Sequence, residues 1–171
     1  MAGHDVSTRD PRQGDLLEVD DERFEVVERC PCGQEAKHIR WFLRGEQAVG
    51  PAAIEQEALL AKEWDEDEEL WWWFGRRIAL SDLRAGKERL LQRLRREPAE
   101  PPKRILYEGR LYRLALVNDP SAEADEGPVP TAVWEFVDSE EIESVLIERS
   151  PEGETVAYHG AYYDPEAIKT L

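Results

Sequence analysis

The sequence predicts a mostly β (α+β) protein, built from two pseudo-symmetric antiparallel β meanders or half-barrels that pack together and are joined by one helix. Short segments in which apolar and polar residues alternate recur between turn residues, as expected for half-buried strands. One stretch near the middle spaces its leucines as a helix does. The order of strands and turns before this stretch recurs after it, which indicates two copies of one unit.

Residues 14–77 are predicted to form the first β repeat, after a polar arm, residues 1–13, that we expect to be flexible. An acidic turn at residues 20–22 separates its first two strands, and acidic residues 65–68 form the tip of its last hairpin. The predicted strands are Leu16–Val19, the alternating stretch around Phe24 and Val26, His38–Leu43, Ala58–Trp64 and Leu70–Phe74, with a loop over residues 45–51.

Residues 78–103 are predicted to form a basic linker helix. Residues 76–104 hold ten Lys or Arg and four Asp or Glu, a local net charge of +6, whereas the flanking segments carry −11 each. We expect the helix to pair with the protein's own acidic repeats, the alternative being contact with anionic lipid or nucleic acid. The leucines at mostly helical spacing are Leu80, Leu83, Leu90, Leu91 and Leu94, and the prolines that end the pattern are Pro98, Pro101 and Pro102.

Residues 104–171 are predicted to form the second β repeat. Its first hairpin turns at Glu108-Gly109, an acidic loop rich in proline and glycine covers residues 118–130, and Asp164-Pro165 begins a short terminal turn or helix. The predicted strands are Ile105–Tyr107, Leu111–Val117, Ala132–Val137, Val145–Arg149 and Thr155–His159.

The two β repeats can be aligned with each other. Residues 17–26 match residues 105–114, and Trp41 matches Trp134 in the next strand. Residues 58–74 match residues 144–160 without a gap. Because a copy of about 60 residues buries little core by itself, we expect the two copies to pack against each other.

The charge of the chain restricts its partners. The formal net charge is −16 over 171 residues, so the surface repels nucleic acid and anionic lipid head groups. The sequence has no apolar run of about 18 residues and no signal-peptide pattern. We therefore expect a cytoplasmic protein without a membrane span, for which peripheral membrane association and the oligomeric state stay open.

Several motifs resemble a family of bacterial and archaeal proteins known as domain of unknown function 4178. They are Gly14-Asp15 before a hairpin, the Trp41-Phe-Leu strand, the pattern from Leu60 to Trp71, Tyr107 to Leu114, Val145 to Arg149, and the closing Tyr158-His-Gly. The resemblance covers nearly all of the chain after residue 13 and implies no established activity. Genes of that family often lie near membrane-stress and polyamine-related genes, which implies an accessory role at the envelope. The basic helix and the Cys30-Pro-Cys32 turn depart from the family.

The aromatic run Trp71-Trp72-Trp73-Phe74 is the most unusual feature of the sequence. In a strand, Trp71 and Trp73 share one face, and Trp72 and Phe74 share the other. Either both faces are buried, or one pair forms an aromatic contact patch, which Trp64 would extend. These five residues are the candidate interaction site.

Other candidate sites have weaker patterns. The acidic tip at residues 65–69 is either a solvated turn or a ligand for a divalent cation or polyamine. Cys30 and Cys32 are weak metal candidates, because zinc needs four ligands and the C-x-x-C spacing is absent. No phosphate loop, nucleophile elbow or zinc-protease motif occurs, so we expect no catalytic residue and no cofactor.

These features favour a non-enzymatic accessory or adaptor protein that acts through protein–protein contacts, in an envelope-stress setting if the resemblance holds. The alternative is a small-ligand binder that holds a polyamine or divalent cation with its acidic turns. A hydrolase in the cleft between the two copies is the weakest alternative.

Overall fold

The computed structural model describes most of the chain. The described residues are 10–32, 38–49, 52–64, 67, 69–84, 90–94, 101–118, 132–149 and 152–171. They confirm the mostly β class. Within them, no helix has the length and apolar character needed to cross a bilayer.

Eleven strands form one antiparallel sheet. In chain order they are β1 (Leu16–Val19), β2 (Glu22–Cys32), β3 (His38–Val49), β4 (Ala52–Trp64), β5 (Leu70–Ile78), β6 (Arg104–Tyr107), β7 (Arg110–Asn118), β8 (Ala132–Val137), β9 (Glu143–Arg149), β10 (Thr155–Tyr163) and β11 (Lys169–Thr170). The spatial order is β11-β1-β2-β3-β4-β5-β10-β9-β8-β7-β6. We call β1–β5 the first meander and β6–β10 the second. The meanders join edge to edge, because β5 pairs with β10 over seven residue pairs from Trp72↔Tyr163 to Ile78↔Ala157.

Two-residue turns set the register of the first hairpin in each meander. Asp20 and Asp21 both have positive φ, as do Glu108 and Gly109. Two consecutive residues with positive φ make the turn whose twist matches a right-twisted hairpin. Each second strand then shifts register by one residue, between Val26 and Glu28 in β2 and between Leu114 and Leu116 in β7.

The sheet buries apolar side chains on both faces. On the face that we call the core face, each meander curls around its own core, centred on Trp41 and Phe74 in the first and on Trp134 and Phe136 in the second. On the opposite face, the back face, a third cluster packs Leu59 of β4 with residues from β3, β5, β9 and β10. A salt bridge from Arg40 on β3 to a residue of β9 brings together strands that lie four positions apart in the sheet. The back face is therefore folded upon itself near the β5–β10 junction.

A pair of glycines permits this close packing at the junction. Gly75 of β5 lies directly opposite Gly160 of β10. A Cβ atom on Gly160 would lie 2.0 Å from the Phe74 carbonyl oxygen, and one on Gly75 would lie 2.3 Å from the Trp73 ring. Both positions therefore exclude any larger residue.

Several predicted elements differ from the structure. The predicted loop over residues 45–51 is wrong for residues 45–49, which continue β3 and pair with β4, while residues 50 and 51 lie outside the described part. The ladder continues here because backbone pairing does not require an apolar face. The predicted linker helix over 78–103 is also wrong at its start. Residue 78 ends β5, residues 80–82 form a 3₁₀ turn, and Arg84 bridges to Leu106. The described α-helix of this stretch, α1, covers Leu90–Leu94.

Both termini of the described chain are attached to the first meander. The Trp41 Nε1–H donates to the Pro11 carbonyl at 2.8 Å, and Lys62 pairs with Asp10 at 2.6 Å. The flexible arm predicted over residues 1–13 is therefore wrong for residues 10–13, while residues 1–9 lie outside the described part. The predicted terminal turn is confirmed as a 3₁₀ turn at Pro165–Ala167, after which β11 pairs with β1.

Candidate functional site

The predicted aromatic site is divided between the interior and the surface. Trp72 and Phe74 lie in the core of the first meander, and Trp73 lies in the back-face cluster, where its indole N–H donates to the Ser144 hydroxyl at 2.7 Å. These three residues cannot form a contact patch, because both faces of β5 are covered. Trp71 alone is exposed, at 44% of its surface. The side chain of Trp64 lies outside the described residues.

Trp71 has an exposed aromatic neighbour on the back face. Its ring meets the Tyr162 ring edge-on at a centroid distance of 5.9 Å, and Tyr162 is 41% exposed. The Tyr162 hydroxyl in turn bonds the Glu135 carboxylate on β8. Trp71 of the first meander and Tyr162 of the second therefore form an aromatic surface across the β5–β10 junction, and Glu135 extends it to β8.

Three exposed leucines lie on the back face of the second meander. Leu106 and Leu111 are directly opposite each other in the β6–β7 hairpin, and Leu116 is opposite Glu135. Their exposed fractions are 38%, 51% and 47%. Ile105 and Tyr107 on either side of Leu106, and Tyr112 after Leu111, lie in the core, so alternation places these two leucines on the outer side of the sheet.

The exposed aromatic and aliphatic side chains are linked across the sheet. Trp71 contacts Tyr162, Tyr162 bonds Glu135, and Glu135 is the cross-strand neighbour of Leu116. We call the set of Trp71, Tyr162, Leu116, Leu111 and Leu106 the contact face. Single exposed apolar residues are normal on soluble proteins, but several on one face of a sheet are typical of an interaction site.

Glu135 lies in an environment that opposes its ionisation. Its pKa is raised to about 7, mainly by burial and then by the negative charge of Glu63 on β4, while the hydrogen bond from Tyr162 partly opposes the rise. Burial and the same two carboxylates raise the pKa of Tyr162. Glu63 belongs to the first meander and Glu135 to the second, so the pKa of Glu135 depends on the contact between the meanders.

A cleft opens beside the back-face cluster, away from the contact face. Its volume is about 280 Å³, and Phe42, Val156 and Tyr158 form its apolar walls. Arg40 and Glu148 form a buried salt bridge among the residues that line it, with 10% and 5% of their side chains exposed. At such burial the two charges stabilise the fold only as a pair, because removing either one leaves the other charge buried without a partner.

The charges near the mouth of the cleft are also paired. Arg77 bonds Glu57 and lies 3.5 Å from Glu154. The Glu57 carboxylate raises the pKa of Arg77 through their hydrogen bond. A ligand would have to displace these ion pairs to use the charges, so the cleft is a weaker candidate than the contact face.

A polar network crosses the second meander on its core face. The Tyr112 hydroxyl lies 3.2 Å from both the Glu143 carboxylate and the His159 Nε2 atom, and Arg110 binds the same carboxylate at 2.7 Å. Burial, followed by the negative charge of Glu143, raises the pKa of Tyr112 well above its ordinary value. A phenol held protonated in this way is a hydrogen-bond donor and not a nucleophile. The network is consistent with a structural role.

The two weaker predicted sites gain no support. Cys30 is buried in β2, with 2% of its surface exposed, and the side chain of Cys32 lies outside the described residues. Within the described part of the chain, no group of three or more His, Cys, Asp or Glu side chains is arranged to hold a metal ion. Most of the acidic tip at residues 65–69 also lies outside it, with only Asp67 and Glu69 described.

Comparisons with known proteins add no relative. No family model, no curated protein and no solved structure matches the chain. The resemblance to the domain of unknown function 4178 family stays a prediction.

Within the contact face, only Trp71 is a predicted site residue. Leu106, Leu111 and Leu116 belong to predicted alternating strands, and Glu135 is one of many acidic residues in the sequence. A usable signal existed in the aligned repeats, because Leu111 stands where the first repeat has Arg23. The contribution of Tyr162 depends on the β5–β10 junction and has no signal in the sequence.

Proposed function

We propose that this protein is a non-enzymatic accessory or adaptor protein that binds another protein through the contact face. The observation that carries the proposal is the group of exposed aromatic and aliphatic side chains on the back face of the sheet. Trp and Tyr side chains, such as the exposed Trp71 and Tyr162, are typical anchors of protein interfaces. The envelope-stress setting and a cytoplasmic location remain predictions.

A comparison of the two meanders supports this proposal. We propose that they are pseudo-symmetric copies of one unit, joined at β5 and β10. Support comes from the matching turns, the register shifts 88 residues apart, and Trp41 and Trp134, which pair with Arg29 and Val117 at the same spacing. The gapless match of the later strands needs correction, because Leu60 is opposite Trp41 while Ile147, not Leu146, is opposite Trp134.

Because the two meanders are proposed to be equivalent, the leucines of the contact face can be compared with the residues at the same positions of the first meander. Leu106, Leu111 and Leu116 correspond to Glu18, Arg23 and Glu28 of the first meander at the same spacing. The first meander thus carries charged side chains, including the Arg23–Glu18 ion pair, where the second exposes leucines. A sheet face exposed to water does not require leucine at these positions, because the first meander has charged residues there. The difference favours a binding role for the leucines of the second meander.

The two alternatives have less support. The charges that line the cleft are paired with each other, which leaves few groups for a polyamine or an ion. The hydrolase alternative would use a carboxylate pair with separated pKa values, and Glu135 with Glu63 is the nearest candidate. These two glutamates lie beside the exposed Trp71 and Tyr162, and the 280 Å³ cleft does not include them.

Site-specific photocross-linking in the host tests the proposal. A photoreactive phenylalanine analogue is placed at Leu111, and the same analogue at Arg23 is the matched control on the other meander. We expect a discrete cross-linked protein from position 111 and not from position 23. The product should disappear when Leu116→Glu is added. Equal labelling from the two positions, or none from position 111, would contradict the proposal.

A further inference from the structure

The geometry points to an acidic amphipathic segment of a partner protein as the occupant of the β6–β7 end of the contact face. This inference rests on the proposed function and specifies the chemistry of the partner. Apolar side chains of the segment would cover Leu106, Leu111 and Leu116, while its carboxylates would meet the arginines beside Leu106 and Leu111.

Three arginines lie on the back face around the exposed leucines. Arg104 is the residue before Ile105 in β6 and shares the face of Leu106, and Arg113 shares the face of Leu111. Arg84 is held beside Leu106 by an isolated β-bridge. All three arginines are exposed. This part of the surface is therefore basic, although the whole chain carries a net charge of −16.

The arrangement of two of these arginines is unfavourable without an anionic partner. Arg104 lies directly opposite Arg113 in the β6–β7 ladder. Like charges in directly opposed positions destabilise a sheet. Arg113 is partly neutralised by Glu141, at 2.5 Å, but Glu141 is itself an exposed turn residue. Carboxylates from a bound segment would relieve this repulsion between the arginines. The charge of the segment is therefore negative.

A second copy of the chain does not fit this surface symmetrically. In a twofold dimer formed through this face, the same three arginines would approach each other from both subunits. Three leucines also cover less area than the roughly 800 Å² per partner of a standard protein interface. A short segment of another protein satisfies both constraints.

The segment would lie across the sheet face and would not extend the sheet. The free edge of β6 is already occupied at Leu106, whose N–H and C=O bond to the backbone of Arg84 at 2.7 and 3.0 Å. Leu111 and Leu116 are five residues apart along β7, or roughly 16 Å at the rise of a strand. An amphipathic helix of about eleven residues spans this distance.

Two synthetic peptides test the inference against the full-length protein. The first is a twelve-residue helical peptide with leucines along one face and glutamates elsewhere, and the second has lysine in place of every glutamate. Binding is measured by fluorescence anisotropy at low and high salt. The net charge of −16 favours the lysine peptide, so a preference for the glutamate peptide can arise only from local arginines.

We expect the glutamate peptide to bind about tenfold more tightly than the lysine peptide, since two or three ion pairs give this factor. Arg84→Glu with Arg104→Glu should reverse the preference, and Leu111→Glu should weaken binding of the glutamate peptide at least tenfold. The inference is overturned if the lysine peptide binds more tightly or if the arginine variants leave the preference unchanged. In that case a cross-link from position 111 to a protein without an acidic segment would still uphold the proposed function.

Discussion

Replacing Glu135 with glutamine should remove a pH-dependent loss of stability. The pKa of Glu135 in the folded protein is raised from 4.5 to about 7, mainly by burial and then by the charge of Glu63. Because the folded state holds this proton more tightly, the protonated group stabilises the fold fully below pH 4.5. That stabilisation is lost as the pH rises through 7.

The size of the effect follows from the shift. At about 1.4 kcal/mol for each pH decade, the rise from 4.5 to about 7 corresponds to about 3 kcal/mol at most. Glu135 is only partly enclosed, so solvent screening reduces the expected difference to about 1–2 kcal/mol. Glutamine keeps a carbonyl oxygen that accepts the Tyr162 hydrogen bond and carries no charge. Glu135→Gln should therefore be more stable than the wild type by this amount at pH 8.5.

Urea unfolding from pH 4.5 to 8.5 measures the effect. The free energy of unfolding is compared between wild type and Glu135→Gln at each pH, so that contributions from other groups cancel. The two proteins should differ little at pH 4.5, diverge as the pH rises from about 4.5 to about 7, and keep a constant difference above that. Glu63→Gln, which removes the neighbouring charge, should move this divergence to lower pH. A constant difference between the two proteins over the whole range would refute the reasoning.

Three further variants test the junction between the meanders and the polar network. Glu148→Ala removes the carboxylate beside the buried Arg40 guanidinium and should cost about 3–5 kcal/mol in urea unfolding, while Arg40→Met with Glu148→Leu should recover more than half of the loss. Gly160→Ala places a Cβ atom 2.0 Å from the Phe74 carbonyl oxygen and should cost about 2–4 kcal/mol; a thermal midpoint equal to that of the wild type would contradict the close packing. Tyr112→Phe removes a hydroxyl shared by two polar side chains and should cost about 1–2 kcal/mol, and no loss would show that the network contributes no stability.

The strands were predictable where alternation and turn residues agreed. Leu16–Val19 is confirmed as β1, and the Glu108-Gly109 turn lies between β6 and β7 as predicted. Predictions failed where either the alternation or the turn residues gave no clear pattern. Residues 45–49 lack the alternation of a strand in the sequence but continue β3, and Leu80 and Leu83 have helical spacing although the chain forms a 3₁₀ turn and a bridge there.

The aromatic run shows why the candidate site could not be decided locally. Alternation correctly separates Trp72 and Phe74 from Trp73, but it does not say what covers each face. Trp73 is buried because Ser144, 71 residues later in the chain, reaches its indole nitrogen. Trp71 is exposed because it lies near the end of the β5–β10 ladder, beyond the back-face cluster.

The sequence by itself determined the class of the fold, the hairpin turns and the excess of negative charge, because alternation, turn residues and charge are properties of neighbouring residues. The tertiary structure alone decided that β5 pairs with β10, that Arg40 meets Glu148 across 108 residues, and that Trp71 adjoins Tyr162 and Glu135. These contacts depend on how the back face folds upon itself. That folding depends on the packing energy of the whole sheet, which cannot be predicted from any short segment of the sequence.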